Sequence, residues 1–241
     1  MIIHRFRNAE TAGQAAATMV AAQLLQNPAT VLGFATGGTP IPTYQQLIRL
    51  CKEGVLDFSN ATSFNLDEYC QLPVQHECSY RRFMQEQLFD HINIPAERTH
   101  LPNGNAEDLA GEAARYDASI QQAGGIDIQI LGIGHNGHIG FNEPADCFVY
   151  GCNVVSLTPS TIEANRRFFA HEQDVPRKAI TMGIGSIMKA RKIVLIATGA
   201  DKAEILRKAL QDEITPAVPA SILRMHPDVT FLLDTAAAGL L

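Results

Sequence analysis

The strongest constraint on this chain is an alternation of short apolar runs with longer stretches of helical spacing. The apolar runs occupy residues 30–35, 61–65, 126–131, 152–156, 179–182, 192–197 and 229–233. Helical periodicity fills residues 8–26, 79–89, 106–122 and 200–210, and the first of these opens on Asn8, a residue suited to an N-cap. That segment is rich in alanine, the best helix former. Strands separated by helices of this length predict βαβ crossovers. The expectation is an α/β fold: a Rossmann-like, mostly parallel sheet with helices on both faces, in a single domain over residues 1–241. No repeat, low-complexity tract or Pro/Ser-rich linker interrupts it.

Composition narrows the function classes. Only 18% of the 241 residues are charged, below the ~25% usual for soluble chains, which fits a well-covered core. A net charge of −6 leaves no electrostatic footprint for nucleic acid. No apolar run nears the ~18 residues of a membrane span, and the apolar start of residues 1–7 is too short for a secretory signal. The five cysteines (Cys51, Cys70, Cys78, Cys147 and Cys152) form no zinc-like pattern, so reduced thiols in a cytoplasmic protein are expected.

In an open parallel sheet, ligands bind beyond the carboxyl ends of the strands. The residues just past each apolar run are therefore informative. After residues 30–35 comes Thr36-Gly37-Gly38-Thr39-Pro40, ahead of a helix-like segment over 39–53. Paired glycines let backbone N–H groups approach an anion, and a helix N-terminus adds a favourable dipole. A plain strand-to-helix turn, capped by Thr39 with Pro40 at the first helical position, is the competing reading. This segment is not a Walker loop and does not match G-x-G-x-x-G, so it does not indicate a nucleotide. Lys202 opens a helix after Thr198-Gly199, at the unfavourable end of its dipole unless an anion offsets it. Arg166-Arg167 precede Phe168-Phe169, a setting that can hold a cation in place. Together these point to a phosphorylated small molecule.

The densest segment runs from Gly132 to Pro144, with four glycines, His135, His138 and Glu143. His138 and Glu143 are the right types for a base and the carboxylate that orients it. The glycine-rich backbone does not supply the helical geometry of a zinc motif, so no metal is expected. Asp67-Glu68, after residues 61–65, offers a carboxylate for general-base work, with a simple cap of the next turn as the alternative. No nucleophile stands out: there is no G-x-S-x-G elbow, and nothing activates Cys70 or Cys78 on either side of His76. Acid–base chemistry on a phosphorylated substrate is what the residues support.

The blocks Thr36-Gly37-Gly38-Thr39-Pro40, Phe64-Asn65-Leu66-Asp67-Glu68-Tyr69, Gly134-His135-Asn136-Gly137-His138-Ile139-Gly140-Phe141-Asn142-Glu143-Pro144 and Asn165-Arg166-Arg167-Phe168-Phe169 resemble, in order, those of glucosamine-6-phosphate deaminases. The related 6-phosphogluconolactonases share the fold but do not continue as Phe-Asn-Glu-Pro. The resemblance implies conversion of glucosamine 6-phosphate and water to fructose 6-phosphate and ammonia, in N-acetylglucosamine catabolism, without metal or organic cofactor. It assigns proton transfer between C2 and C1 to Asp67, and ring opening to His138 with Glu143. Thr36, Gly37, Gly38, Thr39, Arg167 and Lys202 would hold the phosphate. Asn136 stands in the catalytic block where some members carry Asp, so Glu143 would support His138 as the only anion there. Allosteric members carry basic residues after Asn-Glu-Pro and a longer tail. Residues 145–155 contain no Lys or Arg here, and the sequence stops at Leu241. A monomeric or weakly associated, non-allosteric enzyme is the expectation. A 6-phosphogluconolactonase and a non-catalytic sugar-phosphate sensor are the alternatives.

Overall fold

The computed structural model describes residues 1–158, 162, 166, 169 and 174–241. Its main sheet has seven strands, all parallel, in the order β1 (Ile2–Phe6), β10 (Val229–Asp234), β9 (Lys192–Ala197), β6 (Ile128–Leu131), β2 (Val31–Phe34), β3 (Thr62–Asn65) and β5 (Thr99–His100). Every residue of β2, β6 and β10 is buried, which is why these strands read as unbroken apolar runs rather than alternating ones. Residues 2–6 form the edge strand β1, with Ile2 and Ile3 exposed.

Helices cover both faces. On one side α1 (Ala9–Gln26), α2 (Ile41–Lys52) and α3 (Tyr80–Gln87) pack Ala16, Val20, Leu47 and Met84 against Leu32, Phe34 and Ile130. On the other, α4 (Leu109–Gln122), α5 (Ile184–Met188) and α6 (Ala203–Gln211) bring Tyr116, Ile187 and Leu206 onto Val31, Phe64 and Leu195. Asn8 caps α1 as expected: its side chain accepts the Thr11 N–H at 3.0 Å, and the Thr11 hydroxyl answers by accepting from the backbone N–H of Asn8. Gly13 lets α1 and α2 meet, since a Cβ there would lie 2.6 Å from the Pro42 Cβ. Among the described residues, no helix is long and apolar enough to cross a membrane.

Residues 152–156 and 179–182 depart from expectation. They are strands, but not of the parallel sheet. β7 (Asn153–Ser156) and β8 (Lys178–Thr181) pair antiparallel with each other, and β8 pairs antiparallel with β4 (Asp67–Tyr69). The cause lies in β4. Its first residue follows β3 after only Leu66, so the chain leaves the main sheet without a crossover and offers β8 an antiparallel edge. Asp67-Glu68 is thus a strand and not the capped turn that its sequence allowed.

Outward from β2, the sheet runs to β3 and β5 on one side and to β6, β9, β10 and β1 on the other. The order reverses between β2 and β6. A crevice opens there at the carboxyl ends, where open α/β sheets place their ligands.

Candidate active site

A cleft of about 510 Å³ sits at this reversal. Thr36, Gly37 and Thr39 reach it from the loop after β2, Asp67 from β4, Asn136 and His138 from the loop after β6, and Lys202 from the turn after β9. Four segments singled out by sequence therefore converge, because β9, β6, β2 and β3 are neighbours in the sheet. Gly38 lies on the same loop without lining the cleft, and Glu143 stands behind His138. Arg167 lies outside the described residues. Among the described residues, no three His, Cys, Asp or Glu side chains are grouped to hold a metal ion.

At one end of the cleft, Gly37 adopts φ +92°, a conformation that only glycine takes freely. Helix α2 then starts at Ile41, with Pro40 as the flanking residue and no side-chain cap. Thr39 therefore does not cap α2, and Pro42, not Pro40, is the proline inside its first turn. The Ile41 N–H donates to the Gly38 carbonyl at 3.3 Å and Pro42 has no N–H, so it is the glycine loop ahead of α2, and not the helix's first turn, that faces the cleft. Lys202 lines the same cleft from the start of α6. Burial holds its pKa below the usual lysine range, and the nearby Asp201 works in the opposite direction.

At the other end, Asp67 is 6% exposed, and its pKa is pushed up to about 8 by burial and then by the adjacent Glu68. The two acids have separate tasks. Glu68 accepts the backbone N–H groups of Tyr69, Tyr80 and Arg81 at 2.9, 3.0 and 2.9 Å, tying the start of α3 to β4. Asp67 alternates to the other side of the strand and lines the cleft.

The loop after β6 folds around its glycines. The backbone N–H of Gly134 donates to the His138 carbonyl at 2.9 Å, and Gly137 (φ +88°) donates back to the Gly134 carbonyl at 3.0 Å. The His138 ring lies over Gly134, where a Cβ would come within 2.3 Å of the ring. Its Nδ1 is 3.4 Å from Glu143 Oε2, within ion-pair reach. Asn136 donates from Nδ2 to the same Glu143 oxygen at 2.6 Å.

The sequence matches the profile of the glucosamine-6-phosphate isomerase/6-phosphogluconolactonase family over residues 6–231. The chain belongs to this family. A glucosamine-6-phosphate deaminase of Alkaliphilus oremlandii is 52% identical over 241 residues, covering 100% of both chains. One from Lachnoclostridium phytofermentans is 57% identical over 217 residues, 90% of this chain and 92% of that one. The solved structure of a monomeric glucosamine-6-phosphate deaminase superposes with a TM-score of 0.97 at 45% identity, covering 100% of both chains. A 6-phosphogluconolactonase from Thermotoga maritima gives a TM-score of 0.75 at 18% identity over 97% and 99% of the two chains, a likeness of fold.

Within this family fold, the cleft also takes residues that sequence reasoning did not single out. Tyr80 and Phe141 line it with rings 6.0 Å apart and 4° from parallel. The Tyr80 hydroxyl donates to that of Tyr69 at 3.2 Å. Tyr80 carries no motif signal, because it is brought to the cleft by long-range contacts such as the Glu68 tether on α3. His135 belongs to a recognised block without an assigned role there; it lines the cleft mouth.

Proposed function

We propose that this chain is a glucosamine-6-phosphate deaminase, converting glucosamine 6-phosphate and water to fructose 6-phosphate and ammonia. The observation that carries the reading is a desolvated Asp67 on the wall of a cleft that an anion-suited loop and Lys202 also line. Identity above 50% to curated deaminases over whole chains supports it. Thr36, Gly37, Gly38, Thr39, Lys202 and Arg167 hold the phosphate, which fixes the sugar carbons against Asp67. Binding energy from this remote group lowers the barrier by orienting the reacting carbons. His138, steered by Glu143 and Asn136, moves the proton that opens the ring. Asp67 then carries a proton between C2 and C1 through an enediolamine-like intermediate, and water replaces the amine at C2. A C2 ammonium entering beside Asp67 brings a positive charge that favours the ionised carboxylate. No step requires a metal or organic cofactor.

The same reading makes the enzyme cytoplasmic, a single catalytic domain over 1–241, monomeric and non-allosteric. The absence of Lys and Arg from residues 145–155 supports it, since an anionic effector finds no counter-charge there. The likeness to a deaminase described as monomeric points the same way. Ammonia release from glucosamine 6-phosphate, followed across substrate concentration, tests activity and cooperativity together. Release along a hyperbolic curve is expected. Acid production from 6-phosphogluconolactone without ammonia would overturn the assignment, and a sigmoidal curve would overturn the absence of allostery.

A further inference from the structure

One carboxylate oxygen of Asp201 stands between two nitrogen donors of the cleft. Asp201 Oδ2 lies 2.7 Å from His135 Nε2 and 3.9 Å from Lys202 Nζ. His135 comes from the loop after β6, whereas Asp201 and Lys202 come from the turn after β9. The contact therefore closes across the mouth of the cleft, which His135 and Lys202 both line. Gly199 makes the arrangement sterically possible. It sits at φ +95°, and a Cβ there would fall 2.5 Å from Asp201 Oδ1. The Gly199 N–H is held in turn by both carboxylate oxygens of Asp234, each at 3.1 Å.

A carboxylate beside a phosphate-binding lysine works against phosphate in two ways. It attracts the ammonium group and repels the incoming dianion. An N–H donor on that carboxylate reduces both effects, by fixing the oxygen and drawing off part of its charge.

We infer that Asp201 competes with the substrate phosphate for Lys202, and that His135, by holding Asp201 Oδ2, releases the lysine to the phosphate. Both are positioning residues that set affinity at the phosphate end, and neither touches the reacting carbons. The inference rests on the phosphate site proposed above and adds a built-in competitor to it.

Four proteins test it: the wild type, Asp201→Asn, His135→Ala and the double variant. Calorimetry with inorganic phosphate gives Kd, and ammonia release from glucosamine 6-phosphate gives KM and kcat. Asp201→Asn is expected to tighten phosphate and lower KM by about fivefold. His135→Ala is expected to weaken both by about fivefold with Asp201 present, and to change neither once residue 201 is Asn. In each case kcat moves less than KM. An equal loss from His135→Ala in both backgrounds would overturn the inference, because His135 would then act without Asp201. Unchanged phosphate affinity in Asp201→Asn would overturn it too. If the phosphate pattern holds while no variant releases ammonia, the deaminase assignment falls and this inference stands. Ammonia release without the pattern overturns this inference alone.

Discussion

Asn136 donates to Glu143 Oε2 at 2.6 Å, and that oxygen is the one facing His138 Nδ1 at 3.4 Å. The amide also turns its own oxygen to the backbone N–H of His138 at 3.2 Å. Asn136 is therefore a neutral clamp on the carboxylate and not merely a missing charge. Asn136→Asp would set a second carboxylate against Glu143, and two like charges so close cannot both ionise near neutral pH. The variant is expected to raise the acid limb of the kcat–pH profile by about one unit or more. It should also lose about tenfold in kcat at neutral pH. Ammonia-release rates from acid to alkaline pH check this, and a superimposable profile would refute it.

Asp67 links activity to stability with a definite sign. Its pKa is pushed up to about 8, against about 3.9 for an aspartate in an unfolded chain. Between those values the native state holds a proton that the unfolded chain has released. Stability therefore falls as pH rises through that window and levels off above it. Asp67→Asn removes the penalty, so its gain in Tm should be larger at about pH 8 than at about pH 5. The same variant should lose about 10²–10⁴-fold in kcat, as removal of a general base does. Scanning calorimetry at both pH values tests the first half, and an equal gain at both would sink it.

Gly134 is the floor beneath the His138 ring. A Cβ at this position would lie 2.3 Å from both Cε1 and Nε2 of the ring, which must swing away. The displaced group is the far end of a side chain, so the fold is expected to survive Gly134→Ala. Turnover is not, because misplacing a catalytic group by about 1 Å costs on the order of 10²-fold. Near-wild-type Tm with a large loss of kcat is the expected pair of results. A loss confined to KM would mean that the ring position does not govern the chemistry.

The central sheet was legible because strands buried on both faces, such as β2 and β9, read as continuous apolar runs. The cleft was legible for a related reason: glycine-rich and charged residues after those runs have no packing role. The edge strands β1 and β5 fell outside the apolar runs, and three further things lay beyond the pattern. Residues 152–156 and 179–182 read as strands, but their antiparallel pairing depends on β4, a three-residue strand too short for any period to reveal. Tyr80 reaches the cleft through tertiary contacts: the Glu68 tether, the Tyr69 hydroxyl and the Phe141 ring. The His135–Asp201 contact joins residues 66 positions apart, across two loops whose approach is fixed by strand order.

Glu68 has two effects, on stability and on Asp67, that run in opposite directions. Both carboxylate oxygens are used by backbone N–H groups: Oε1 by Tyr69 and Tyr80, Oε2 by Arg81. Glu68→Gln leaves a single acceptor and turns an NH₂ toward at least one of those donors. An unmet buried donor costs about 1–3 kcal/mol. For a chain of this size that is a Tm loss of about 2–4 °C per kcal/mol. The substitution also removes the like charge that helps to raise Asp67. Asp67 should then ionise at lower pH, and the rise of kcat/KM with pH should shift down with it. A less stable enzyme that works at lower pH is thus expected. If Tm falls while the limb stays in place, burial alone sets the Asp67 pKa.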